Sequence, residues 1–323
     1  MYIQTFPNDC IQKKTGDYTL VKYPSLKKNN PEYSNFRSVI YAKQTPVCFS
    51  PPKSIPFDVF KTTFDISQCI VEEFVEGTMI NVFFHETWKI STKSTLNAKC
   101  TFNSTQTFCD MFHECGLSLN ELDPSIVYSF VMQHPNNQIV TKITAPKLVL
   151  VASYKIQNGY AVEFSVNGFN TPTYYSYASY EDAEHAVQLM NIKGLMFKCN
   201  GIRSKLINHE HEHIEHLKGN SPLSTHYFYI RNTPKLQEYL TFFPDDKEKV
   251  IQLEKKIQQC ASTFLHQYKQ CYIYKQPVKK NQYLYELHTI YLSIKPKFIN
   301  KTETLKYLNS LAPFRLIDLI QFL

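Results

Sequence analysis

Two hydrophobic periodicities divide this chain and limit what it can become. Over residues 18–90 it runs in short β-branched and aromatic stretches, cut by Pro, Gly, Asn and Lys clusters. That pattern predicts strands over 18–23, 36–42, 69–75 and 78–84. Strands are predicted again over 126–133, 138–143, 148–156, 160–166 and 194–199. Between them lie a short helix over 105–115, stopped by Gly116, and another over 179–191. Ser179 can cap that second helix, acidic residues fill its first turn, and Ala183, Ala186, Val187 and Met190 share one face. After about Ser221 the period changes. Pro244 and Asp245 open a run in which Val250, Leu253, Ile257, Cys260, Phe264 and Tyr268 recur by threes and fours, as on one face of a helix. Further helices are predicted over 281–293, 302–310 and 313–322, with Pro277, Pro296 and Pro313 at the breaks. The expectation is an α+β domain over residues 1–225, followed by a small all-helical domain over 226–323.

Composition agrees with a packed, sheet-rich chain. Of 323 residues 43% are hydrophobic, and 22 Tyr and 23 Phe stand against 8 Gly. The first ten residues are polar and contain Pro7, so no secretory leader is expected. No apolar run approaches the ~18 residues of a membrane span, so no membrane partner is expected. The nine cysteines are scattered and never spaced C-x-x-C, which suits reduced thiols. Charge is uneven. Residues 226–323 hold 15 Lys and Arg against 8 Asp and Glu, while residues 1–225 hold 20 of each. A basic module beside a neutral one suits a polyanion partner; solvated helix faces would give the same count.

The densest local signal is Val71-Glu72-Glu73-Phe74-Val75-Glu76-Gly77-Thr78-Met79-Ile80. Taken alone it reads equally as a hairpin turning at Glu76-Gly77. It does not stand alone. Asn35-Phe36-Arg37-Ser38-Val39-Ile40 and Cys48-Phe49-Ser50-Pro51-Pro52-Lys53 precede it. Trp88-Lys89-Ile90-Ser91-Thr92-Lys93-Ser94, then Tyr128-Ser129-Phe130-Val131-Met132-Gln133-His134-Pro135-Asn136-Asn137-Gln138-Ile139-Val140, follow it. Lys193-Gly194-Leu195-Met196-Phe197 and Arg203-Ser204-Lys205-Leu206-Ile207 close the series. In this order the segments resemble the nucleotidyltransferase domain of the phage-type RNA ligase 1 family. The whole chain also resembles ligase-like proteins of large cytoplasmic DNA viruses. The resemblance implies a nucleotidyltransferase domain of ATP-grasp-like antiparallel sheets. It further implies ATP or GTP with Mg²⁺ as cofactor, RNA as partner, and action in the host cytoplasm, a viral factory or the virion.

The departures carry as much weight. That family has K-x-D-G-[ST] where this chain has Phe74-Val75-Glu76-Gly77-Thr78, and a benzyl group has no lone pair with which to attack phosphorus. Val131 and Lys193 stand where the resemblance implies carboxylates, and Ile207 stands at the second lysine of K-x-K. Arg37, Glu76, Gly77, Lys93 and Lys205 remain as ligand-binding candidates. The chain therefore reads as an RNA-ligase-like pseudoenzyme that binds RNA or a protein partner. Its alternatives are an active ligase with a relocated lysine (Lys198 in Lys198-Cys199-Asn200-Gly201, Lys53 or Lys93) and a structural virion or assembly protein. Two other motifs stand out. His209-Glu210-His211-Glu212-His213 satisfies H-E-x-x-H, which makes His209 and His213 candidate metal ligands. The same run also suits a solvated, self-compensating helix face. In the tail, Tyr268-Lys269, Tyr272-Ile273-Tyr274-Lys275 and Lys279-Lys280-Asn281-Gln282-Tyr283 could stack on bases if exposed, or could fill a helical core.

Overall fold

The structure, a computed structural model, describes residues 1–27, 30–277, 281–294 and 297–322. The chain forms two compact units, Met1–Glu215 and His216–Leu323, so they divide earlier than the expected 225/226 boundary. The first is α+β with antiparallel sheets. Strands β1 (Ile11–Thr15), β2 (Tyr18–Lys22), β3 (Val39–Ala42) and β4 (Thr45–Phe49) make a four-stranded meander. After α1 (Phe57–Thr63) come β5 (Ile70–Glu73), β6 (Thr78–His85), β7 (Thr87–Ser91), α2 (Phe108–Glu114), β8 (Val127–Gln133), β9 (Lys147–Gln157) and β10 (Tyr160–Glu163). The unit continues through β11 (Tyr174–Tyr175), α3 (Tyr180–Gln188), β12 (Gly194–Cys199) and β13 (Ile202–Ile207), and the boundary falls within α4 (His209–Lys218). The second sheet runs β10-β9-β8-β6-β7, and the third runs β11-β5-β12-β13.

Strand alternation decides what each face of the second sheet meets. On β8, Tyr128, Phe130 and Met132 turn to one side. They pack with Ile80, Val82, Leu148 and Leu150 against Phe108, Met111 and Phe112 of α2. Thr107 and Asp110 close a capping box at the start of that helix. The opposite face carries Val131, Val149 and Val151, which cluster with Val75. Asn81 donates to Ser50 Oγ at 2.6 Å and accepts from Ser129 Oγ at 2.9 Å, so the first two sheets share a buried polar link. The third sheet buries Leu195 and Phe197 under Phe60 of α1 and under Ala183 and Val187 of α3. Ser179 caps α3 as expected, accepting from Asp182 N at 3.1 Å.

One predicted strand is absent. Residues 138–143 lie outside any strand, although Ile139-Val140-Thr141 has strand-like composition. Val140 and Thr141 spend their backbone N–H groups on the Glu76 carboxylate, at 2.7 and 3.1 Å, and not on a ladder. Strand β3 is also shorter than predicted, because Tyr33 to Phe36 form a hydrogen-bonded turn before it.

The second unit is helical throughout its regular structure: α5 (Leu223–Ile230), α6 (Lys235–Phe242), α7 (Lys247–Tyr272), α8 (Gln282–Ile294), α9 (Lys301–Ser310) and α10 (Pro313–Phe322). The predicted stripe on α7 is its buried face. Val250, Ile257, Cys260, Phe264 and Tyr268 pack against Leu284 and Leu287 of α8, Tyr307 and Leu308 of α9, and Leu316 and Leu319 of α10. Among the tail tyrosines, Tyr268 is core, while Tyr274 is 61% exposed. Lys279, Lys280 and Pro296 lie outside the described residues. All nine cysteines are free thiols.

Candidate functional site

The segment around Phe74 is no hairpin. Strand β5 pairs with β11 and β12, whereas β6 pairs with β7 and β8, so Phe74–Gly77 carries the chain from the third sheet to the second. The crossing is tight. Phe74 N donates to Gly194 O at 2.9 Å. Gly77 has φ +146°, and a Cβ there would lie 2.4 Å from the Met132 carbonyl oxygen. Only glycine allows so close a backbone approach.

A cleft of about 660 Å³ opens where these sheets part. Phe74, Val75, Gly77, Met79, Val131, Val151 and Met196 form its apolar lining. Arg37, Lys53, Lys93, Lys193, Arg203 and Lys205 supply six cations against two carboxylates, Glu72 and Glu73. The Phe74 ring lies between two ammonium groups, with Lys193 Nζ 5.5 Å and Lys205 Nζ 5.6 Å from its centroid. Lys93 Nζ donates to Tyr23 OH at 3.2 Å and sits 4.7 Å from that ring. Lys193 also pairs with Glu215 at 2.9 Å.

Burial shapes the charges. Burial and the neighbouring Arg203 both lower the Arg37 guanidinium pKa from its ordinary value. Arg203 is 7% exposed, and its Nε has no hydrogen-bond partner. Lys205 is lowered by burial and then by Lys193. Glu72 is 2% exposed and pairs with Lys198 at 2.6 Å, while Lys198 also donates to Val151 O at 2.9 Å. Burial raises the Glu72 carboxyl and lowers the Lys198 ammonium. Lys198 is thus a strut between the third and second sheets.

Arg37, Gly77, Lys93 and Lys205 come together at the cleft, with Phe74, Val131 and Lys193. Glu76 does not join them. Its carboxylate, on a residue 6% exposed, accepts from Val140 N, Thr141 N, Thr141 Oγ1 at 2.9 Å and His211 Nε2 at 2.5 Å. Burial alone would raise its pKa; the bonds from His211, Val140 and Thr141 outweigh this and hold it below the ordinary carboxylate value. His211 is the histidine of the run with an internal role, and the sequence reading passed over it. His209 and His213 lie on the exposed side of α4. Among the described residues no three His, Cys, Asp or Glu side chains are grouped to hold a metal. Sequence reading also passed over Arg203. Arg203 and Lys205 share the cleft face of β13 at a spacing of two, while Ile207 is not in the lining. A basic pair is therefore present one strand period before the expected K-x-K position. The alternation Arg203-Ser204-Lys205 was its signal.

No family model matches the sequence, and no curated protein is similar to it. Solved structures similar to it include DNA and RNA ligases. A protein from Aquifex aeolicus assigned as an ATP-dependent DNA ligase shares 12% identity at TM-score 0.46, over 80% of this chain and 78% of that one. An archaeal ATP-dependent RNA ligase shares 11% at TM-score 0.45, over 96% and 84%. A Naegleria gruberi RNA ligase with ATP and Mn shares 14% at TM-score 0.37, over 50% and 57%.

The cleft does not fit the Mg²⁺ that the sequence resemblance implied. A magnesium site needs oxygen ligands in near-octahedral array. Here the carboxylates are Glu73 and an already paired Glu72, among six cations.

Proposed function

We propose that this chain is an RNA-ligase-like protein that binds RNA and has lost nucleotidyl transfer. Phe74 carries the reading. At the point where the chain crosses between sheets, above a cationic cleft, stands a side chain that cannot form a phosphoamide bond. The excess of cations in the cleft and in residues 226–323 supports a polyanionic partner. Exposed Tyr274 and Tyr285 offer faces on which bases could stack. A protein partner fits the same surfaces less directly, since an excess of cations over carboxylates favours phosphate. On the ordered motifs, we read the chain as kin to the phage-type RNA ligase 1 family and to ligase-like proteins of large cytoplasmic DNA viruses, working in host cytoplasm, viral factory or virion.

The test is intact mass after incubation with ATP or GTP and Mg²⁺ or Mn²⁺. Neither the protein nor Phe74→Lys is expected to gain a nucleoside monophosphate, because a restored amine would still face Val131 and Lys193 where the resemblance implies carboxylates. A gain in the unaltered protein that vanishes on changing one lysine would sink this reading. Lys205, in the cleft and lowered by burial, is the amine to change first.

RNA binding is expected to weaken with salt as counterions are released. For five single-strand phosphate contacts, going from about 50 to about 200 mM salt costs roughly a hundredfold in affinity. Fluorescence anisotropy with a labelled single-stranded RNA measures this. A flat salt profile would argue for a partner other than a polyanion.

A further inference from the structure

We infer that Cys69 and Cys199 form a site of reversible disulfide formation across the third sheet, with a low-molecular-weight disulfide as oxidant. Neither cysteine lines the cleft, so the site is separate from the RNA reading above.

Register brings the two thiols together. Strands β5 and β12 run antiparallel, with Phe197 opposite Val71 and Lys198 opposite Ile70. One step further along the same ladder sets Cys199 opposite Cys69. Residues directly opposite on antiparallel strands have Cα atoms about 4.5–5.5 Å apart. A disulfide spans roughly 4.4–6.8 Å between Cα atoms, so the backbone has no need to move. Alternation puts both side chains on one face. Phe197 and Val71 bury themselves under α1 and α3, and Cys199 and Cys69, each two residues away, join the same cluster. The two thiols are hydrogen-bond neighbours. Their scattered places in the sequence hid the pair; the ladder makes them neighbours.

The pair is asymmetric. Cys69 is half-buried, whereas Cys199 is 5% exposed. Cys69 is the thiol that an external disulfide can reach, and Cys199 is the one that resolves. Cys69 Sγ lies 3.3 Å from the Asp65 carbonyl oxygen and 3.4 Å from the Tyr180 hydroxyl. A thiol is a weak donor. The Tyr180 hydroxyl keeps its bond to Phe64 O at 2.9 Å, so oxidation strands no strong donor. Burial, then Cys199 and Asp65, push the Cys69 thiol above its ordinary value, and a hydrogen bond from Tyr180 opposes them. The thiolate is therefore scarce at neutral pH, and exchange should quicken as pH rises.

The Cys69 thiolate attacks one sulfur of the external disulfide. A mixed disulfide forms, and the expelled thiolate takes up the proton that Cys69 gave. Cys199 then loses its proton and attacks Cys69 Sγ. The mixed bond breaks, and the second small thiol leaves with that proton. The two cysteine sulfurs together lose two electrons, and the external disulfide gains them. The new bond closes a loop holding every strand of the second sheet, β6 to β10, together with α2 and α3. Closing a loop this long constrains the unfolded chain strongly. The bond also ties β5 to β12 at the end of the ladder away from Gly194, whose carbonyl accepts from Phe74 N.

Intact mass and peptide mapping of the full chain test this, after equilibration in glutathione buffers of rising disulfide content and alkylation with N-ethylmaleimide. Cys69 and Cys199 are expected to lose alkylation together, as one linked peptide pair without bound glutathione. The oxidised protein, followed by Trp88 fluorescence, should melt roughly 5–10 °C higher, and dithiothreitol should abolish the gain. Cys199→Ala should hold one glutathione at Cys69, and Cys69→Ala should leave Cys199 unmodified. The parent protein carries the decisive arm, so a variant that does not fold leaves the test standing. Separate glutathione adducts at the two positions, linkage of either to a different cysteine, or both thiols still alkylated at the most oxidising ratio would each overturn the inference. So would a melting point that stays or falls on oxidation, since the bond would then not fit the native ladder.

Discussion

Glu76→Ala is expected to destabilise the first unit by about 3–5 kcal/mol, the cost of leaving several buried donors without their acceptor. The carboxylate satisfies two backbone N–H groups, one hydroxyl and one imidazole. Removing it strands all four and leaves His211, whose Nδ1 already lacks a hydrogen-bond partner, with neither nitrogen bonded. The single tryptophan, Trp88, packs beside the second-sheet core, so its fluorescence during urea unfolding reports on this unit. The effect has a pH signature. The folded carboxyl titrates below the ordinary 4.5. The stability it contributes is therefore fully present above pH 4.5, and it drains away as pH falls through the depressed folded value. The gap between parent and variant should narrow in the same window. A variant within about 0.5 kcal/mol of the parent at pH 7, the range of an ordinary surface change, would show that the hub is not structural.

Gly77→Ala should cost about 3 kcal/mol through two combined effects. The φ of +146° strains any side chain, and the new Cβ would meet Met132 O at 2.4 Å and Val131 Cγ1 at 2.7 Å. Met132 belongs to β8, paired on both sides by β6 and β9, so its carbonyl has nowhere to go. For a unit of this size the melting point should fall by roughly 6–12 °C. Gly168→Ala is the matched comparison. Its φ of +90° is also unfavourable, but a Cβ there meets nothing within 4 Å, so backbone strain of about 1 kcal/mol remains. Equal melting shifts at the two positions would show that the close approach at Gly77 contributes nothing.

Sequence read best where one physical rule acts alone. The α7 stripe follows from spacing by threes and fours, because a single helix face meets a single core. Ser179 was legible as a cap because capping is local. Reading failed where a distant side chain decides the backbone. Residues 138–143 have strand composition, yet a carboxylate 64 residues upstream takes the N–H of Val140. Glu76 was assigned to the ligand site by its place beside Phe74. Motif spacing gives position along the chain and not the side to which a carboxylate turns, and the buried donors won. Arg203 went unnoticed because the expected basic spacing was anchored on Ile207. Arg37, Gly77, Lys93 and Lys205 do line one cleft, although only Lys205 lies on a strand; the order of the motifs along the chain, and not strand alternation, singled them out.

The Glu76 hub also limits where this polypeptide can be cut. A fragment ending at Ile207 would contain every strand, yet it would lack His211, which reaches Glu76 from 135 residues away. Glu215, the partner of Lys193, would be missing as well. Such a fragment would bury a carboxylate short of its imidazole donor. During vectorial synthesis the same arithmetic applies to the emerging chain. The first two sheets can pair before α4 is made, but the third receives β13 only just ahead of that helix, so the crossing at Phe74–Gly77 is anchored late. One wall of the cleft is made early, and two strands and a helix made late complete and secure it.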